Sequence, residues 1–169
     1  MQKMKRSAAK SLPQKNLLDI TDRHYIYDLV DTLNSFFRNH FDGAVKFESL
    51  IEHPFYIDFD GGKFAEFLNY ALSLGMGEKI LHIYLRQLED ELNILIGAKD
   101  DLKIDASFEA ELRRLAEGIG FSIAIRDNTL IASKKVNFSD AVPINAIKPQ
   151  APLYDQLYCA FFGDKERDQ

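Results

Sequence analysis

The sequence predicts an α+β protein: a two-layer α/β sandwich in which a mixed, mostly antiparallel sheet is covered on one face by three helices. Two observations carry this. Three stretches repeat apolar residues at helical spacing, while others alternate apolar and polar residues as half-buried strands do. Turn residues between them set the order helix, strand, helix, hairpin, helix, hairpin.

Asp22 is a candidate N-cap for a first helix running to about Asn39, with Ile26, Leu29, Val30, Leu33, Phe36 and Phe37 on one face. Phe41-Asp42-Gly43 is a turn, and Val45 to Glu48 alternates like a strand. His53-Pro54 disfavours helix, and Phe55 to Phe59 is a second short β-like run. After Asp60-Gly61-Gly62 comes a helix with the stripe Phe64, Phe67, Leu68, Ala71 and Leu72, stopped by Gly75-Met76-Gly77.

Ile80–Leu88 and Leu92–Gly97 read as an antiparallel hairpin about the turn Glu89-Asp90-Glu91. Lys99 to Lys103 is a charged loop. Ser107 is the expected cap of the third helix, with Glu109 and Glu111 in its first turn and Phe108, Leu112, Leu115, Ala116 and Ile119 on its apolar face. Gly118-Ile119-Gly120 ends it. Phe121–Ile125 and Thr129–Ala132 form a last hairpin about Asp127-Asn128.

From Val136 the pattern fades into a proline-containing, linker-like segment to residue 152. Leu153, Tyr154, Leu157, Tyr158, Phe161 and Phe162 then have the spacing of a short amphipathic helix. Left bare, such a stripe would be a liability, so it either covers the domain's own core or docks on a partner. The expected organisation is a basic, flexible segment 1–22, a sandwich domain 23–135, and a linker with an aromatic helix 136–169.

A chain of 169 residues, 46% of them apolar and with 13 Phe and 7 Tyr, is long enough for one well-filled core. Residues 1–15 carry +5 and the remainder −10 of a net charge of −5. An acidic body argues against a nucleic-acid-binding domain. The basic segment lacks the apolar core of a secretory signal, and no apolar run approaches the roughly 18 to 20 residues of a membrane helix. A single cysteine, Cys159, allows neither an intramolecular disulfide nor a cysteine zinc site. These features lead us to expect a cytoplasmic protein with no membrane span.

Tyr27-Asp28-Leu29-Val30-Asp31-Thr32-Leu33 resembles the DLxxxL helix that precedes the ATP-binding domain of bacterial sensor histidine kinases. Val45–Glu48 is similar to that domain's first strand. Asp58 to Leu72 is similar to the approach to its N-box helix, and Glu109 to Ile125 to its last helix and strand. The resemblance covers residues 17–135 and implies a GHKL-type ATPase fold.

The family's nucleotide-binding residues do not carry over. Its N-box asparagine, a Mg²⁺ ligand, falls on Leu74 if the apolar phase is kept, or on Ser73 if Asn69 anchors the register. Its Asp-x-Gly-x-Gly box would follow Gly97, where the chain reads Ala98-Lys99-Asp100-Asp101-Leu102. Only Leu102 to Ser107 remains for the lid and second glycine box, with no glycine to bring backbone amides against phosphates. The four histidines are followed by Tyr25, Phe41, Pro54 and Ile83 rather than by an acid, so none matches the family's phosphoacceptor. His24, read on the first helix, is the nearest to one.

The chain is also similar to the ATP-less, kinase-like domain of histidine phosphotransferases, which helps bind response regulators. This likeness implies a non-catalytic, pseudokinase-like domain in two-component signalling, with no cofactor and a response regulator or histidine kinase as partner. Two alternatives stand beside it. One is a divergent ATP/Mg-binding kinase or phosphotransferase domain using Asn69, Ser73 and Asp100. The other is a self-associating, homodimeric protein held through Tyr154, Leu157, Tyr158, Phe161 and Phe162. The acidic pairs Asp58/Asp60 and Asp100/Asp101 are read as turn and cap residues.

Overall fold

The computed structural model describes residues 22–75, 80–98, 103–127, 129–139 and 152–163. The elements are β1 (Asp22–Tyr25), α1 (Ile26–Phe41), β2 (Val45–Leu50), β3 (Tyr56–Phe59), α2 (Gly61–Ser73), β4 (Leu81–Leu88), β5 (Glu91–Ala98), α3 (Ala106–Glu117), β6 (Ser122–Arg126), β7 (Thr129–Lys135) and α4 (Leu153–Phe162). Five strands form one sheet in the order β2-β4-β5-β7-β6, and β1 pairs with β3 in a second, two-stranded sheet. Among the described strands, only β2 and β4 run parallel; the other pairs are antiparallel. This is the expected α+β sandwich.

Alternation fixes which way the large sheet faces. Leu81, Ile83 and Leu85 of β4, Leu92, Ile94 and Ile96 of β5, and Leu130 and Ala132 of β7 are all buried. The β4–β5 hairpin turns through two residues with positive φ at Glu89 (54°), which suits the twist of the strands, and Asp127 after β6 also has positive φ (51°). The first turn is therefore Glu89-Asp90 alone, because Glu91 already pairs with Leu88.

The helices bury the stripes their spacing foretold. Ile26, Leu29, Leu33, Phe36 and Phe37 of α1 are buried, as are Phe64, Phe67, Leu68, Ala71 and Leu72 of α2. On α3, Leu112 and Ala116 are buried, whereas Phe108 and Leu115 are only partly so. Gly120 follows α3 at φ 80°, and the Phe121 amide returns to the Ala116 carbonyl at 2.9 Å. A residue with a Cβ would be strained there.

Three expectations are corrected. Asp22 caps no helix: Asp22–Tyr25 pairs with Tyr56–Phe59, and α1 starts at Ile26, whose amide bonds the Phe55 carbonyl at 3.0 Å. Strand pairing satisfies several backbone groups where a cap satisfies one, and four residues are too few to show alternation. His24 therefore lies on β1. Asp105, not Ser107, caps α3, accepting from the Phe108 amide at 2.8 Å. The first residues of the segment expected as a linker are tied to β3, with Tyr56 and Asn137 exchanging two backbone hydrogen bonds of 2.7 and 2.8 Å. Residues 1–21, 76–79, 99–102, 128, 140–151 and 164–169, on which other expectations rest, lie outside the described residues.

Arg23 fastens this tied segment. Its side chain is 8% exposed and grips Asp58 through two bonds of 2.9 and 3.0 Å, while Nη1 donates to the Ser139 carbonyl at 3.2 Å. Losing the guanidinium strands the half-buried Asp58 carboxylate. Arg23→Ala should lower unfolding stability by roughly 2 kcal/mol, and Arg23→Lys should recover little of it because the fork is lost. Urea unfolding of both variants measures this; an Arg23→Ala chain as stable as wild type would contradict it.

Candidate functional site

Chemistry or recognition was expected at two places: between the Asn69 helix, α2, and the Asp100 loop, and on the aromatic side of α4.

Asn69 and Ser73 lie on the C-terminal half of α2, and Asp100 lies outside the described residues. Asn69 is half-buried. Ser73 is exposed, and its hydroxyl donates to the Tyr70 carbonyl at 2.6 Å, a local helix contact. Leu74, the other N-box register, is the C-cap of α2. An aromatic stack joins α2 to α3: the Tyr70 and Phe108 rings sit 4.7 Å apart at 14°. The Asp105 cap sets this up by starting the helix with Phe108 in its first turn.

The acidic pair Asp58/Asp60 is spoken for. Asp58 holds Arg23, and Asp60 caps α2 by accepting from the Lys63 amide at 3.0 Å. Among the described residues, no group of three or more His, Cys, Asp or Glu side chains is placed to hold a metal ion. His24 stacks on Phe59 with centroids 4.1 Å apart, and its Nε2 lies 3.3 Å from the Phe59 carbonyl oxygen. Burial pushes the imidazole below its usual pKa, against the opposing pull of that carbonyl and of Asp58 and Asp60.

The C-terminal helix docks against α1 and α2 through side chains. Leu157 is completely buried. Tyr154 and Phe161 meet Phe36 at 5.5 and 5.2 Å, Phe162 stacks on Phe41 at 5.6 Å, and Tyr158 meets His40 at 5.4 Å. The Tyr154 hydroxyl accepts from Asn39 Nδ2 at 3.0 Å and lies 2.9 Å from His40 Nε2. Gln156 rests on the first residue of α2, where a methyl group on Gly61 would overlap its Oε1. Tyr154, Tyr158, Phe161 and Phe162 keep part of their surface open.

Sequence reasoning thus named the aromatic residues of α4 but missed their counterparts Asn39 and His40, together with the roles of Arg23, Gln156 and the Tyr70–Phe108 stack. The Tyr70 and Phe108 positions did carry a signal, each being a large aromatic at the edge of an apolar stripe.

No protein-family model matches this chain, and comparison with curated proteins finds no match. Solved structures do resemble it. A histidine kinase of Acinetobacter baumannii, AdeS, aligns over 71% of this chain and 68% of its own at 12% identity and a TM-score of 0.48. The mycobacterial sensor histidine kinase MprB aligns over 71% of this chain and 100% of its own at 9% identity and a TM-score of 0.46. The ATP-binding domain of PrrB from Mycobacterium tuberculosis aligns over 72% and 100% at 13% identity and a TM-score of 0.44. In each case the likeness is one of fold. Among the described residues, no helix is long and apolar enough to cross a membrane.

Stacked, half-buried rings contribute about 1 kcal/mol beyond their buried area. Phe108→Ala should therefore cost about 2 kcal/mol in all, and it should release the first turn of α3 to amide exchange before the rest of that helix. Exchange that stays uniform along α3 would show the stack to be incidental.

Proposed function

We propose that this chain is a non-catalytic, histidine-kinase-like domain that serves two-component phosphorelay signalling by binding a protein, a response regulator or a kinase. The observation that carries the reading is the Tyr70–Phe108 stack, 4.7 Å between centroids, set between α2 and α3. It stands beside Ser73, whose hydroxyl is turned back on its own helix. The missing glycine boxes and the resemblance over residues 17–135 point the same way. A domain of this kind keeps a rigid scaffold and presents a surface.

The surface we assign to the partner includes the open sides of Tyr154, Tyr158, Phe161 and Phe162. Large aromatic side chains of this kind dominate protein interfaces. Leu157 is committed to the domain's own core and contributes by holding α4 in place.

Surface plasmon resonance of the full chain against purified receiver domains and histidine kinases tests this. Binding to at least one of them is expected, and Tyr158→Ser should weaken it by about tenfold or more with the fold intact by circular dichroism. Absence of binding to every receiver domain and kinase from the same organism would overturn the reading. Sedimentation of the same preparation decides the self-association alternative, since a concentration-dependent dimer lost in Tyr158→Ser would favour it.

A further inference from the structure

The large sheet has a second side, turned away from the core. Leu81, Ile83 and Leu85 of β4 point into that core, so the alternate residues Tyr84, Arg86 and Leu88 point outward. Register sets Arg86 between Leu50 of β2 and Asn93 of β5. Asn93 is only 3% exposed. Its Oδ1 accepts from Arg86 Nη2 at 3.2 Å, while its Nδ2 donates to Ser133 Oγ at 2.9 Å and to Glu91 Oε1 at 3.4 Å. With both donors so directed, the amide gives Arg86 one neutral oxygen and nothing more.

The rest of the guanidinium is not provided for. Arg86 is half-buried, and its Nε is buried with no hydrogen-bond partner among the described residues. Arg23, Arg113 and Arg114 are each gripped through two nitrogens by an acid. Among the described residues no carboxylate pairs with Arg86, and the outward acids of the neighbouring strands, Glu48 and Glu91, make no ion pair with it. A guanidinium is donor only and keeps its charge, so turning the side chain cannot cure the deficit. A partly dry cation without a counter-charge is costly. The surface around it is apolar: Leu50 is 53% exposed and Leu88 48%.

We propose that the outer side of the sheet around Arg86 is a docking surface for an amphipathic helix of a partner protein, which sets an Asp or Glu on the guanidinium and apolar side chains on Leu50, Tyr84 and Leu88. Charge selects the occupant. An unpaired cation takes an anion, and the flanking leucines call for an anion with apolar neighbours, which a free phosphate or acetate does not bring. Spacing favours a helix. Adjacent strands lie about 4.8 Å apart, and same-side residues of one strand about 7 Å apart. On a helix, positions three and four away from a central acid lie about 5–6 Å from it. The carboxylate takes the Nη1 and Nη2 donors that Asn93 leaves over, as charge-assisted bonds. Arginine and tyrosine beside apolar residues are the usual anchors of such contacts. This surface is separate from the rings of α4, and the inference does not rest on the proposed function.

Solution NMR of the full chain tests it, with two synthetic helical peptides of about 14 residues that differ only in a Glu or a Gln at the centre of a leucine stripe. The amide signals of Leu50, Tyr84, Leu88 and Asn93 should move with the Glu peptide, which should bind about tenfold or more tighter than the Gln peptide. In Arg86→Gln that preference should vanish. Leu50→Ser, at an exposed position outside the Arg86 hydrogen bonds, should weaken both peptides, and it keeps the test decisive if Arg86→Gln does not fold. Shifts confined to α4, equal affinity of the two peptides for the wild type, a preference retained in Arg86→Gln, or binding unchanged in Leu50→Ser would each overturn the proposal. Sedimentation equilibrium without peptide covers the other occupant: a dimer that Leu50→Ser dissolves would give this face to a second copy and overturn it as well.

Discussion

The sheet has one apolar face, and hiding it sets the terms for everything else. Leu81, Ile83, Leu85, Leu92, Ile94 and Ile96 present a continuous surface that three helices must cover. Each helix offers a stripe to the sheet, but α1 carries more aromatic surface than the sheet can take up. Phe37 stacks toward Phe47 of β2, while Phe36 and Phe41 turn toward the helical side. A fourth helix then becomes necessary. A ten-residue helix is marginal alone, so α4 is helical because Leu157 is buried and its neighbouring rings pack against α1. Arg23 and Asn137 anchor the chain on its way there.

The same economy shapes the approach of α3 to α2. A helix start that opens toward a ligand needs small residues and free amides. Here Asp105 satisfies the Phe108 amide, and the Phe108 ring closes on Tyr70. The stack adds contact between the helices. The contact joins the two helices through their side chains.

Much of the fold was legible because periodicity reports burial directly. The stripe Phe64, Phe67, Leu68, Ala71 and Leu72 named the inner face of α2, and the alternation Leu81, Ile83, Leu85 named the inner face of β4. What stayed hidden depends on residues distant in sequence. Asp22–Tyr25 has no period long enough to announce a strand; it becomes one because Tyr56–Phe59 lies beside it. Asp105 and Ser107 are both good caps, and tertiary packing of Phe108 chose between them. For the candidate site, the aromatic side of α4 could be read from spacing. Its seat could not, because Asn39, His40 and Gly61 carry no mark of their partners.

The most direct test of the central claim is isothermal calorimetry of the full chain with ATP and with ADP, each with Mg²⁺, up to millimolar ligand. A binding domain with a filled α2–α3 interface should give no heat of binding and no thermal stabilisation by either nucleotide. Micromolar binding would contradict the account and would mean that the Tyr70–Phe108 stack opens to admit a nucleotide.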